Sequence, residues 1–222
     1  MMKIHKGIEQ GTPEWHALRA GKLTASCIEK ILTPATLEPS KQAYGYAAQL
    51  AAERISGKCI DGIKTSAMQK GNDLEPIAKQ IYHEQFHQIE EITFMENEGL
   101  SFPYGASPDA ILVGVNGGVE IKSLSAPKEY FDLMRTGEIA PARKLQMAGQ
   151  ILAGDLDFVD FVIYIEGLKM QPVRYYRDEE LIKKIIIAGE VFEEMIKELM
   201  LLHNNSKGFL TPVFEEVYDE YE

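Results

Sequence analysis

The sequence predicts a layered α/β domain, with a mixed central sheet flanked by helices. Three observations carry this expectation. Apolar residues recur at helical spacing in both end portions of the chain. Strand-like runs fill the middle, and two of them flank Asn116-Gly117-Gly118, a hairpin signal. Phe158 to Ile165 is almost continuously apolar, as in a central strand covered on both faces. A chain of 222 residues suits one large domain. Its expected parts are helical residues 1–85, a sheet core over residues 86–176, and a C-terminal helix with an acidic tail over residues 178–222.

Taken in order, Ala25 to Leu32 reads as a helix that stops before Pro34, and Thr33 to Ser40, with two prolines, as a loop. Lys41 to Ile55 is rich in alanine and reads as a helix ended by Gly57. A further helix covers Leu74 to Gln85, with Leu74, Ile77, Ala78 and Ile81 as its apolar stripe. It starts either at Asp73 as cap, with Pro76 in the first turn, or near Ser66, with Pro76 as a kink. Ile89 to Met95, Ala110 to Val115 and Val119 to Leu124 read as strands, and Arg143 to Ala153 as a helix. Pro172 to Tyr176 is a candidate partner of the central strand. Asp178 to His203 closes the domain as a long helix, with Ile182, Ile185, Phe192, Ile196 and Leu199 on one face and Gly189 among them.

Composition excludes several classes. With 45% apolar residues the chain is not disordered. No apolar run approaches the roughly 20 residues that span a bilayer, and Met1 to Gln10 lacks the apolar stretch of a signal peptide. A cytoplasmic protein with no membrane partner is the expectation. Cys27 and Cys59 form neither a CxxC pair nor a zinc spacing, and read as reduced thiols. His83 and His87, four apart, lack a third ligand. The net charge of -11 argues against a generic basic nucleic-acid binder. That charge is uneven. Residues 1–64 carry nine basic against six acidic side chains, and residues 145–222 carry seven against sixteen.

The chemistry concentrates at the hairpin. Asp109 stands just before its first strand, behind Pro108, while Glu120 and Lys122 lie on its second. Side chains two apart in a strand share a face, so Glu120 and Lys122 point together and Ile121 points away. The turn brings Asp109 towards them. Two close carboxylates repel, and a hard divalent cation cancels that repulsion. Oxygen ligands favour Mg²⁺ or Mn²⁺ over zinc. Such an ion polarises a scissile phosphate and lowers the pKa of a bound water. Lys122 can hold or help deprotonate that water, and the Ile121 carbonyl is a further candidate ligand. Separately, Arg19 is a residue type that binds phosphate bidentately. Thr24 and Ser26 stand at an apparent helix start, a common phosphate site. The same residues also fit an ordinary N-cap beside a surface arginine.

Pro108-Asp109 followed by Glu120-Ile121-Lys122 resembles the PD-(D/E)xK nuclease core. Residues 15–26, 68–78 and 105–109, with Gln146-Met147-Ala148-Gly149-Gln150, narrow the resemblance to the lambda-exonuclease-like, YqaJ-type phage recombination exonucleases. The resemblance implies a restriction-endonuclease-like core. It also implies a Mg²⁺-dependent (or Mn²⁺-dependent) 5′-to-3′ exonuclease that degrades one strand of linear duplex DNA to mononucleotides. The remaining 3′ overhang would serve a single-strand annealing partner. Glu75, Asp109 and Glu120 match the family's metal-binding acids, Lys122 its catalytic lysine and Gln146 its motif glutamine. Arg19 and Ser26 match residues that grip the terminal 5′-phosphate, with Thr24 beside them. Met68 falls where the family places an apolar wedge between terminal bases, although methionine there also fits a core position. Four residues after Gln146 related nucleases carry a tyrosine, where this chain has Gln150. Family members form homotrimeric rings around DNA. Competing readings are a restriction-type endonuclease on the same core, a catalytically inactive DNA-binding subunit, and an acidic interaction protein. The first is distinguished by having no need of an end pocket at Arg19 and Ser26.

Overall fold

A computed structural model describes residues 1–60, 66–123 and 127–206, with the backbone alone over residues 66–73. The Met68 side chain, the Asp73 cap, the strand end Leu124 and the acidic tail from Val213 onward lie outside the described residues.

Two sheets organise the chain. The larger has five strands in the order β3 (Ile89–Glu90), β6 (Ala110–Leu112), β7 (Gly117–Ser123), β8 (Phe158–Tyr164) and β9 (Val173–Tyr176). It is mixed. β7 and β8 run parallel, with Glu120 beside Phe161, and the other pairs are antiparallel. Parallel neighbours need a crossover, here made by the helices α4 (Lys128–Thr136) and α5 (Pro141–Gly154). As expected for a strand covered on both faces, β8 is buried at every position. The smaller sheet orders β1 (Met2–His5), β4 (Phe94–Asn97), β5 (Tyr104–Ala106) and β2 (Leu23–Thr24).

Several boundaries differ from the sequence-based expectations, each for a physical reason. Ile89 to Met95 is two strands: β3 pairs with β6 in one sheet, and β4 pairs with β1 and β5 in the other. The crossing point is Thr93, whose hydroxyl both accepts from Ile8 N and donates to Ile8 O. The hairpin turn is residues 113–116, two residues earlier than one centred on Asn116-Gly117. β6 ends at Leu112, and Gly114 takes the left-handed conformation, φ +80°. Gly117 and Gly118 are strand residues. A Cβ at Gly117 would stand 2.5 Å from the Phe158 ring, so glycine there serves close packing and not the turn. Ala25–Lys30 is a 3₁₀ turn, preceded by α1 (Pro13–Arg19), whose cap is Thr12.

The helices follow the sequence more closely. α2 (Ala43–Ser56) ends at Gly57 in the left-handed conformation. α3 (Ser66–Gln85) takes the longer of its two possible starts and contains Pro76. Its buried face is Ala78 and Tyr82 with Leu74 and Ile81 against them, whereas Ile77 is exposed. α6 (Glu179–Asn205) is capped by Asp178, which accepts from Glu180 N and Leu181 N. Gly189 admits Phe102, whose ring would otherwise meet a Cβ at 2.2 Å. Two apolar clusters lie on opposite faces of the large sheet. Val119 and Ile121 of β7 pack towards α3, and Phe161 and Ile163 of β8 towards the cluster containing α5 and α6. Glu120 and Lys122 therefore emerge on the α5 side.

Candidate active site

β7 carries Glu120 into the interior, where it is 2% exposed, and carries Lys122 to the rim of the same face. The two pair directly, Lys122 Nζ with Glu120 Oε1. Lone pairs of a buried carboxylate need donors, and α5 supplies two. Gln146 Nε2 donates to Glu120 Oε1 at 2.6 Å, and Gln150 Nε2 donates to Oε2 at 2.5 Å. The two glutamines are four apart and so lie on one helical face. On a neighbouring flank of α5, Gly149 lets the 3₁₀ turn and β5 pack closely against the helix. A Cβ there would meet Ile28 at 2.3 Å and the Tyr104 hydroxyl at 2.6 Å. That hydroxyl donates to Gly149 O instead, at 2.9 Å.

Asp109 is bound to the same strand from the side. Its backbone N donates to Val119 O at 3.2 Å, and its Oδ2 accepts from Ile121 N at 2.5 Å. Burial, and then the charges of Glu120 and Glu75, push its carboxyl well above the usual range, against the smaller pull of Lys122. Burial alone would lower Lys122. Glu120 and Asp109 outweigh it and hold the ammonium above the ordinary lysine value. Lys122 is thus held as an ammonium beside Glu120 and Asp109. Glu75, on α3, pairs with Lys79 at 2.8 Å and reaches Asp109 electrostatically. Lys79 also approaches Glu91 at 3.4 Å. Both line a cleft of about 740 Å³ between α3 and the segments Gly7–Gln10 and Glu91–Thr93.

The carboxylates are not gathered into a finished cage. Among the described residues no three His, Cys, Asp or Glu side chains stand together as a metal-binding group. Each acid is held instead by an internal partner, Glu75 by Lys79, Asp109 by Ile121 N, Glu120 by Lys122 and the glutamines. The donor chemistry nevertheless fits a hard divalent cation. It is all oxygen, and the carboxyl of Asp109, raised first by burial, also feels the charges of Glu120 and Glu75. His83 and His87 are engaged elsewhere. His83 Nδ1 accepts from Ile89 N at 3.2 Å, and a His87 ring nitrogen lies 2.9 Å from Val113 O.

Arg19 sits at the end of α1, its guanidinium 4.3 Å over the Trp15 ring, with Nη1 donating to Ser107 Oγ at 3.3 Å. Burial lowers its pKa, and it pairs with no carboxylate among the described residues. The loop that follows is fixed from behind. Gly21 N donates to Glu53 Oε2 at 2.8 Å, and Arg54 donates to Gly21 O while pairing bidentately with Glu193 at 2.7 and 2.8 Å. The buried Thr24 makes no side-chain cap, contrary to expectation, and its hydroxyl lies 3.4 Å from the exposed Ser26 Oγ. A six-residue 3₁₀ turn also replaces the expected helix start, so the helix-dipole argument for a phosphate site does not hold here.

Asp109, Glu120, Lys122 and Gln146 thus converge, Glu75 reaches Asp109 electrostatically, and Arg19 bonds to Ser107, two residues before Asp109 in the chain. For Ile121 it is the backbone N that takes part, towards Asp109. Three residues take part whose roles the sequence does not give. Gln150 was legible as a second glutamine at i+4 from Gln146. Ser107 was legible only as a hydroxyl near Pro108-Asp109. Arg143, one turn before Gln146, is held by Glu129 at 3.0 and 3.2 Å and interacts electrostatically with Glu120 and Lys122. No sequence signal marked it. Part of the basic charge in the first third is also consumed internally, as Lys6 pairs with Glu90, Lys22 with Glu96 and Arg54 with Glu193.

No curated protein matches the sequence. Among solved structures, an alkaline exonuclease from Laribacter hongkongensis, LHK-Exo, is similar over 87% of this chain and 97% of its own, with 29% identity and a TM-score of 0.74. LHK-Exo in complex with dAMP matches at 31% identity over the same shares, also with a TM-score of 0.74. A phage-related exonuclease from Haemophilus somnus 129PT shares the fold, with a TM-score of 0.62 and 17% identity, over 82% of this chain and 96% of its own. The YqaJ-like viral recombinase domain matches residues 14–153, which include Arg19, Glu75, Asp109, Glu120, Lys122, Gln146 and Gln150, and the chain belongs to that family.

Proposed function

We propose that this protein is a Mg²⁺-dependent (or Mn²⁺-dependent) exonuclease that degrades one strand of linear duplex DNA from a 5′-phosphorylated end, releasing mononucleotides. The observation that carries the reading is the buried Glu120–Lys122 pair, with Asp109 fastened to the same strand and Arg19 linked to it through Ser107. An end-binding cation beside a hydrolytic centre is what an enzyme acting at a terminus needs. The structural relative solved with dAMP, a DNA mononucleotide, supports the substrate class.

Asp109, Glu120, Glu75 and the Ile121 carbonyl would hold the ion, which when bound polarises the scissile phosphate and acidifies a water. Lys122, charged and anchored on Glu120, orients the attacking water and offsets charge on the phosphorane. Gln146, half-buried at the rim, is placed to touch both Glu120 and substrate. Arg19 grips the terminal phosphate, with Ser107, Thr24 and Ser26 as neighbouring hydroxyls. Met68 serves as the wedge that parts the terminal bases. The chain acts as a single nuclease domain. The product, a 3′ overhang, suits a single-strand annealing protein. A homotrimeric ring reconciles a net charge of -11 with sustained contact to DNA, because enclosure replaces long-range attraction. The test uses a duplex labelled separately at each 5′ end and internally. The reading predicts labelled mononucleotides released first from the 5′-phosphorylated strand, only with a divalent cation. Release from 3′ ends, or internal nicks, would overturn it.

A further inference from the structure

Gln150 is 1% exposed, so it cannot touch DNA. Its Nε2 is the sole described side-chain donor to Glu120 Oε2, at 2.5 Å, while Oε1 is shared by Gln146 and Lys122. The other end of the same amide is unsatisfied, since Gln150 Oε1 is buried without a hydrogen-bond partner. An unpaired buried carbonyl is destabilising. Leucine or methionine would fill a similar volume in the middle of α5, with equal or better helix propensity and no unpaired atom. Glutamine is therefore locally unfavourable for the core. What it contributes is a second fixed contact that sets the direction of the Glu120 carboxylate.

We infer that Gln150 is a positioning residue for Glu120. It forms with Gln146 a two-point clamp that aims one carboxylate oxygen of Glu120 at the ion. This rests on the reading of Glu120 as a metal ligand. Gln146 stands at the rim and is free to act on substrate as well, whereas Gln150 works through Glu120 alone. The position thus takes a clamp built from a second amide, where related nucleases carry a tyrosine.

The test measures Mn²⁺ binding to the full-length protein by titration calorimetry without DNA, and thermal stability in chelator, for Gln150→Leu, Gln150→Met and Glu120→Gln. Loss of a partner that orients a metal ligand typically costs 10- to 100-fold in affinity. That loss is expected for both Gln150 variants, with the metal-free melting temperature within about 4 °C of wild type, since the lost hydrogen bond and the removed unpaired carbonyl offset one another. At saturating Mn²⁺ the KM for DNA stays unchanged. In the Glu120→Gln background, Gln150→Leu should produce no further loss of Mn²⁺ affinity. Wild-type affinity in a folded Gln150→Leu variant overturns the proposal, and so does failure of both variants to fold, which makes Gln150 a packing residue. If Glu120→Gln itself binds Mn²⁺ normally, the metal-site reading fails instead. The two failures are thereby distinguishable.

Discussion

Replacing Arg19 with alanine separates end recognition from hydrolysis. The guanidinium is buried over Trp15, donates one hydrogen bond to Ser107, and has no carboxylate partner among the described residues. Its remaining donors are available to a phosphate. A hydrogen bond between charged groups contributes about 1.5–3 kcal/mol. At 1.4 kcal/mol per factor of ten, losing one such contact lowers discrimination by roughly 10- to 150-fold. The assay compares kcat/KM on two duplexes that differ only in carrying a 5′-phosphate or a 5′-hydroxyl. Arg19→Ala should reduce the ratio by that factor while hydrolysis of the hydroxyl end changes little, because Arg19 reaches Asp109 only through Ser107. Stability should move the other way. Burial disfavours the charged guanidinium, as its lowered pKa records, so the uncharged Arg19→Met, still able to pack on Trp15, should melt no lower than wild type. Equal wild-type rates on the two ends, or an Arg19→Ala variant that loses both activities in parallel, would refute the reasoning.

Two further outcomes follow from the same geometry. Asp109 has a folded pKa raised above its unfolded value, so its contribution to stability is full at low pH and is lost as pH rises through the folded value. Asp109→Asn, which can still accept from Ile121 N, should therefore raise the melting temperature of the metal-free protein at pH 8 by about 2–4 °C, the effect of ~1 kcal/mol in a domain of this size. The gap should close towards pH 4, and calorimetric scans across pH would show it absent throughout if Asp109 were unstrained. Gly149→Ala should destabilise by about 1–3 kcal/mol, since its Cβ would meet Ile28 and Tyr104 and the helix-propensity gain is smaller. A variant melting at or above the wild-type temperature would show that α5 can move away from the 3₁₀ turn at no cost.

The main features of the fold were legible where side-chain periodicity and burial coincide. β8 is legible because all its residues are buried, and α6 because Ile182, Ile185, Phe192, Ile196 and Leu199 fall in helical register. Elements with weak patterns escaped. β1 is a four-residue, largely exposed edge strand, and α4 starts behind Pro127, which makes no side-chain cap. Gly117 and Gly118 misled because glycine marks both turns and close packing, and only the Phe158 ring tells them apart. Ile89 to Met95 read as one strand because alternation along a segment carries no information about which sheet each half joins. At the site, Asp109, Glu120 and Lys122 were readable because strand geometry forces their convergence. Gln150 and Ser107 were readable as residues near the motifs but not in their roles, which come from contacts across 30 and 88 residues of chain.

In the proposed function, Lys122, Glu120 and Asp109 carry hydrolysis of phosphodiesters at DNA ends. Digestion of linear and closed-circular duplexes of the same sequence, with Mg²⁺ or with chelator, by wild type and Lys122→Ala, tests it most directly. Only wild type with Mg²⁺ should degrade DNA, only the linear form should disappear, and Lys122→Ala should be inactive though folded. Degradation of the closed circle, or wild-type turnover by Lys122→Ala, would contradict it.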